Sequence, residues 1–504
     1  MEDLKSLGQR MFKMNSIFKI TLIFSGILIA KIFAEDKELK NVQILPMQFS
    51  GAQELGYVMK GLYAAGNANA YPETRDWLDH FSASITAKAI VADRFNLSAG
   101  LGGVFQFRKP EIVNGGFSGS QRKSFFVGPV TEATYHFGEI TDPWLKLGVG
   151  NWFYKYNTES FDLGEYLFRS GAYPTYTITG GYNVVGSANA QMQGFKALFQ
   201  WGNLKADLFL TTQTTYAPLY DWSPAAVLNY KMGNGLFEFG AGANFTHFFQ
   251  VNSSRSSVHR AVNGYFITSD GKEYSANTDY YHNRLAFDQV RGNVNLIYND
   301  SVDAALVDAV VAAPPGTAPA IQYFDSKATL LMAKISFDPK KFFSTTLLGE
   351  NDLKLYSELG VLGLENKPVF YKKVTERMPV MIGFNLPTFK LLDLFAVQAE
   401  YLNSPYMNNT YQIGNFAANV PYIPLSSDTI MSRVEYNDMA ERDNLKWAVI
   451  VKKNFGKLTF AAQAANDHLR VTSSEYYYGP QYDHGEITVS KDHWYFMTQV
   501  AWGL

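Results

Sequence analysis

The sequence predicts an all-β fold: a transmembrane antiparallel β-barrel of about eighteen strands, with sixteen as the alternative. Three observations predict it. Apolar and polar residues alternate with period two in run after run. The runs are joined by very short and very long links in turn. Aromatic residues make up 15% of the chain, with 38 Phe, 31 Tyr and 40 Gly, yet mean hydropathy stays near zero at −0.14. A large barrel in a bilayer needs this combination, apolar outside and wet inside.

Alternation is clearest in four stretches. In 81–91, Phe81, Ala83, Ile85, Ala87, Ala89 and Val91 share one face, and Ser82, Ser84, Thr86 and Lys88 the other. Successive strand side chains point to opposite faces, so such a run has two distinct sides. In 97–107, Leu97, Ala99, Leu101, Phe105 and Phe107 oppose Ser98, Gly100, Gly102 and Gln106. In 236–247, Phe237, Phe239, Ala241, Ala243 and Phe245 oppose Glu238, Gly240, Gly242, Asn244 and Thr246. In 445–452, Leu445, Trp447, Val449 and Val451 oppose Lys446, Ala448 and Lys452. The glycines of 240–244 therefore read as strand residues facing the lumen, not as a phosphate-binding loop.

Gly202-Asn203, Gly233-Asn234-Gly235 and Asn454-Phe455-Gly456 supply tight hairpin turns. Links 155–188, 248–284, 403–443 and 467–492 are long and polar. Short turns at one end and long loops at the other fit periplasmic turns and extracellular loops. With both termini periplasmic the strand number must be even. The segments are 56–65, 81–91, 97–107, 125–137, 145–154, 189–201, 204–212, 224–231, 236–247, 285–298, 302–312, 327–338, 353–363, 378–386, 394–402, 444–453, 458–466 and 493–504. Segments 56–65 and 302–312 carry the weakest strand signals, and 302–312 also reads as a short helix.

The N-terminus reads as an address. Lys13 and Lys19 precede an apolar run from Ile20 to Ala30, and Ile32-Phe33-Ala34 offers a cleavage point. The expected organisation is a signal peptide over 1–34 with a possible upstream extension, a periplasmic segment over 35–55, and a barrel over 56–504. The apolar run is shorter than the roughly 20 residues a spanning helix needs. A net charge of −2 gives no field for nucleic acid, and zero cysteines exclude disulfides, thiolate metal sites and a lipid-anchoring thiol.

At the C-terminus, Trp494, Phe496, Val500, Trp502 and Leu504 lie on one face of 493–504. The pattern resembles the terminal recognition strand of outer-membrane proteins, with Leu504 where an aromatic residue is usual. The strings LGEYLFRSGAYP (163–174) and ERMPVMIGFNLPTFKLLD (376–393) are similar to an uncharacterised family of porin-like outer-membrane barrels of Gram-negative bacteria. The resemblance implies the outer membrane as location, and outer-membrane lipid and the barrel-assembly machinery as partners. It transfers no residue roles. A barrel of this size leaves an aqueous channel unless plugged, so passive diffusion of small hydrophilic solutes is the expected function. The alternative is an adhesin or polysaccharide-binding barrel presenting loop aromatics such as Tyr476, Tyr477, Tyr478 and Tyr482.

Link 155–188 is the third extracellular link in chain order and the candidate constriction loop, with Glu159, Asp162, Glu165 and Arg169 as its charges. Opposed charges across a narrow wet gap filter solutes. Phe161, Tyr166, Phe168 and Tyr173 would anchor it, and Gly164 and Gly171 let it bend inward. The lumen-facing candidates are Lys88, Arg108, Lys146, Lys205, Lys354, Lys446 and Lys452, with Glu132, Asp207, Glu238, Glu358 and Glu400. Both signs are mixed and no basic ladder for phosphate emerges, so the sequence reads out no selectivity. Asp79-His80, Asp467-His468, Asp483-His484 and Asp492-His493 place a carboxylate beside an imidazole, but neighbours on a strand point apart. No catalytic residue, metal site or cofactor is expected, and the oligomeric state is not legible.

Overall fold

The computed structural model describes residues 42–64, 70–73, 76–107, 111–113, 116–118, 122–127, 131–139, 142–169, 190–212, 221–249, 265–267, 273–275, 328–342, 346–364, 373–403, 444–472, 483–486, 488 and 490–503. They form a closed antiparallel barrel of sixteen strands. The strands are β1 (Gln48–Ala64), β2 (Asp76–Val91), β3 (Phe95–Phe107) and a split β4 (Arg122–Val127 and Thr131–Gly138). Then follow β5 (Pro143–Tyr154), β6 (Ala190–Trp201), β7 (Leu204–Thr212) and β8 (Trp222–Met232). The next four are β9 (Phe237–Thr246), β10 (Ala328–Phe337), β11 (Leu355–Val361) and β12 (Val380–Asn385). The last four are β13 (Leu394–Tyr401), β14 (Leu445–Phe455), β15 (Leu458–Ala465) and β16 (Trp494–Gly503). Each pairs with its sequence neighbour, and β16 closes the ring on β1 with Ser50 opposite Gly503 and Glu54 opposite Gln499. The short strand Val42–Ile44 lies outside this count and pairs with the end of β2.

The count corrects eighteen to its alternative. β9 pairs directly with β10 from Phe237↔Phe337 to Thr246↔Ala328, so 285–298 and 302–312 do not stand between them in the sheet. Both segments lie outside the described residues. Dropping them as a pair preserves parity, which is why every turn phase still holds. The first strand also starts earlier than expected. Residues 48–55, assigned to a segment ahead of the barrel, belong to the wall, where Glu54 points inward and accepts a hydrogen bond from Gln499 at 2.5 Å.

The tightest connections gather at one end, which holds 92–94, 139–142, Gly202-Asn203, 233–236, 338–354, 386–393 and Gly456-Lys457. Gly202, Gly233, Asn234, Gly235 and Gly456 adopt positive φ there, as tight hairpins require. The two longest of these turns are stapled together. Asp352 accepts from the Gly349 amide at 2.8 Å, the Thr388 hydroxyl at 2.9 Å and the Phe389 amide at 3.2 Å. Burial alone would raise its pKa, but these donors outweigh that and hold it below the ordinary carboxylate value. The staple thus contributes fully above the unfolded pKa of about 3.9 and is lost as pH falls through the lower folded value. Asp352→Ala is expected to cost about 1 kcal/mol by removing the shared acceptor, since only the Thr388 hydroxyl among its three donors is buried. Faster hydrogen exchange at Gly349 and Phe389 would report it; unchanged exchange would count against the staple.

The wall has a single layer, so its two faces can be compared directly. Outward, Leu101, Leu228, Ile382, Val397 and Tyr401 are exposed. Inward on the same or adjacent strands, Val227, Asn244, Leu330, Glu358, Met381, Gln398 and Glu400 are buried. What buries an inward residue of a single-layer barrel must itself be inside the barrel.

Candidate functional site

The covering element is the segment after β5. It leaves the wall at Tyr154, crosses the lumen, and ends in one helical turn, Tyr166–Arg169. Leu167 packs with Trp152, Phe209, Val227, Leu330 and Met332. Leu163 and Tyr166 pack with Tyr356, Met381 and Leu402 on the far side. The two family-like strings, 163–174 and 376–393, therefore meet at the contact of Leu163 and Tyr166 with Met381.

Glycines shape the seat. A Cβ on Gly360 would lie 2.8 Å from Cβ of Tyr166, and one on Gly242 would lie 2.8 Å from Cδ2 of Leu167. Gly164 adopts φ 91 and sits against Met381 and Glu358, so the bend expected there is present.

Polar contacts lock the segment to the wall. Glu358 is fully buried and accepts from the Tyr156 hydroxyl at 2.5 Å, the Asn157 amide side chain at 2.7 Å and the Tyr166 backbone at 2.9 Å. A buried carboxylate without such donors would be prohibitively costly. Burial, then the nearby Glu358 and Glu165 charges, push the Tyr156 hydroxyl pKa well above its usual value, so it stays a donor. Gln398 accepts from the amides of Asp162 and Leu163 at 3.0 and 3.1 Å and donates to the carbonyl of Glu159 at 2.9 Å. Glu400 accepts from the Tyr166 hydroxyl at 2.8 Å, and Asn244 donates to the carbonyl of Leu167 at 3.1 Å.

Of the candidate constriction charges, Glu159, Asp162 and Glu165 lie inside and are buried. Glu159 pairs with Lys354 at 3.0 Å, and Glu165 accepts from the Asn157 amide at 2.5 Å. The Glu159 carboxylate thus holds the segment's attachment and the Glu165 carboxylate its fold. Arg169 belongs to the helical turn, its side chain outside the description, and Tyr173 and Gly171 lie outside the described residues. Phe161 and Phe168 pack against the inner clusters as anchors.

The lumen-facing candidates also have definite places. Glu132 pairs with Lys196 at 2.6 Å, Lys205 with Asp207 at 2.8 Å and Glu238 with Lys334 at 2.6 Å. Lys446 is buried and donates to the carbonyl of Thr488. Lys88, Lys146 and Lys452 lie on the inward face of β2, β5 and β14, and Arg108 is outside the described residues. The start of the last link also folds inward. There Asp467 accepts from Tyr495 at 2.8 Å and Gln463 at 3.1 Å, while His468 Nε2 lies 2.7 Å from Glu400. Asp467 and His468 thus serve different partners and make no dyad. Among the described residues no group of three or more His, Cys, Asp or Glu could hold a metal.

Sequence reasoning missed Tyr156, Asn157 and Gln398, and the lysines Lys196 and Lys334. The available signal for the lysines was an inward glycine beside each: Lys196 lies across Gly148 and Lys334 across Gly240.

No protein-family model matches the chain, and no curated protein matches it. Among solved structures, a substituted porin of Rh. blastica aligns with 92% of this chain and 100% of its own length, at 8% identity and a TM-score of 0.38. OprB of Pseudomonas putida aligns with 91% of this chain and 94% of its own, at 9% identity and a TM-score of 0.41. Both of these solved structures are of bacterial porins.

Proposed function

We propose that the chain is an outer-membrane channel for passive diffusion of small hydrophilic solutes, narrowed by the segment 155–169. The observation that supports it best is the state of the inner wall away from that segment. On β1, β2 and β3 the inward residues Ser50, Ser82, Ser84, Thr86, Asn96 and Ser98 are at least partly exposed, and the Ser50 and Ser84 hydroxyls bond at 2.7 Å on an exposed face. A filled barrel would bury them; a wet lumen leaves them reachable. Outside, exposed apolar side chains such as Leu101 and Ile382, with Trp201, Tyr230 and Phe455 near the short turns, suit lipid and its interface. Trp494, Phe496, Val500 and Trp502 share the outward face of β16, where an assembly factor could read them; Leu504 lies outside the described residues.

Planar-bilayer recording of the purified protein tests the proposal. Stepwise conductance is expected. An assembled barrel that inserts and does not conduct would overturn it, and binding of polysaccharide by that barrel would then favour surface recognition.

A further inference from the structure

We infer that the short-turn end of the lumen is an electropositive antechamber, and that the favoured solutes are small anions bearing a carboxylate or phosphate. The inference rests on the diffusion reading and adds the solute class.

The argument begins with position. Lys88, Lys146, Lys205, Lys231 and Lys334 all sit on inward faces near the short-turn ends of β2, β5, β7, β8 and β10. The acids on the inward strand faces of this region are fewer and already engaged, while Asp93, Glu139, Asp142 and Glu350 lie in the turns beyond them. Glu132 is taken by Lys196 at 2.6 Å. Glu238 is shared by Lys334 at 2.6 Å and Lys231 at 3.9 Å. Asp207 accepts from both Lys205 at 2.8 Å and the Tyr154 hydroxyl at 2.6 Å. Neither Lys88 nor Lys146 has a carboxylate partner among the described residues.

Exposure decides which sign a solute meets. The side chains of Lys231 and Lys205 are 63% and 43% exposed, against 19% for Glu238 and 0% for Asp207. At these two pairs solvent meets the ammonium groups; Lys196 and Lys334 are less exposed than their partners, at 9% against 23% for Glu132 and 4% against 19% for Glu238, so the surplus at the surface comes from Lys88, Lys146, Lys205 and Lys231. The acids of the crossing segment and its seat, Glu165, Glu358 and Glu400, are buried at their own hydrogen bonds. Salt screens charges beyond a Debye length of roughly 8–10 Å, so the local lysines dominate where a solute enters. Within low-dielectric walls a surplus of one sign concentrates counter-ions.

Reversal potentials in bilayers under a KCl gradient test this on the unmodified protein. Chloride is expected to be the more permeant ion, and inorganic phosphate should reduce chloride current by occupying the antechamber. Lys88→Glu with Lys146→Glu should shift the reversal potential toward potassium, and the gentler Lys88→Gln with Lys146→Gln should shift it partway. Cation-preferring or non-selective conductance would overturn the inference while leaving the channel standing. So would an unchanged potential in both double variants, each assembled. Complete absence of conductance would instead remove the diffusion reading beneath it.

Discussion

Deleting residues 159–171 is expected to raise single-channel conductance by about twofold or more, since the narrowest cross-section limits flow. The deletion removes Leu163, Tyr166 and Leu167, which fill the lumen between the β5–β10 wall and the β11–β13 wall. It leaves every described pairing of the sheet intact, because residues 159–169 contribute no strand to it. Glu358, Gln398 and Glu400 lose their protein partners, but water entering the widened lumen can replace them. The deletion variant should therefore assemble as the parent does, with the same heat-dependence of gel mobility. Unchanged conductance in an assembled deletion would show that the segment does not set the narrowest point.

Releasing the segment by a single substitution should have the second-largest effect. Glu358→Ala removes the acceptor for the Tyr156 hydroxyl, the Asn157 side chain and the Tyr166 amide. Each orphaned buried donor costs about 1–3 kcal/mol, which is large for a short docked segment. Gly360→Val attacks the same seat sterically, because its Cβ would lie 2.8 Å from Cβ of Tyr166, an atom tied closely to the backbone. Both variants should show higher and noisier current with no loss of barrel assembly. Glu358→Gln keeps one acceptor oxygen and should fall between. A quiet, unaltered current in Glu358→Ala and Gly360→Val alike would mean that the seat is not what holds the segment.

The wall was legible in the sequence because its cause is local. Phe237, Phe239 and Ala241 alternate with Glu238, Gly240 and Gly242, and one face meets a different solvent from the other. Turn glycines and parity then ordered the strands. The extra segments 285–298 and 302–312 show the limit of that reading: alternation marks a candidate strand, and only the pairing of β9 with β10 shows which strands are neighbours in the wall. β1 shows the reverse case. Gln53 and Glu54 blur its alternation, although both lie within the strand. That an inward segment would follow β5 was also readable from its length, acids, aromatics and Gly164. Its lock was not. Glu358 meets Tyr156 and Asn157 across more than 200 residues of chain, and Gln398 resembles any other polar inward residue until the fold delivers it.

The seam between β1 and β16 bears on how the molecule is made. The wall's first strand waits for its last, with Glu54 and Gln499 separated by 445 positions. Contacts so distant in sequence close slowly. Until they form, the growing sheet carries two unpaired edges, each a template for a stray strand. β16 ends that exposure at both places, because it joins β15 on one side and β1 on the other. A chain halted before Trp494 would hold most of its hairpins and still be an open ribbon. Closure of the wall therefore rests on the ten residues of β16, and the edge left open longest is that of β1.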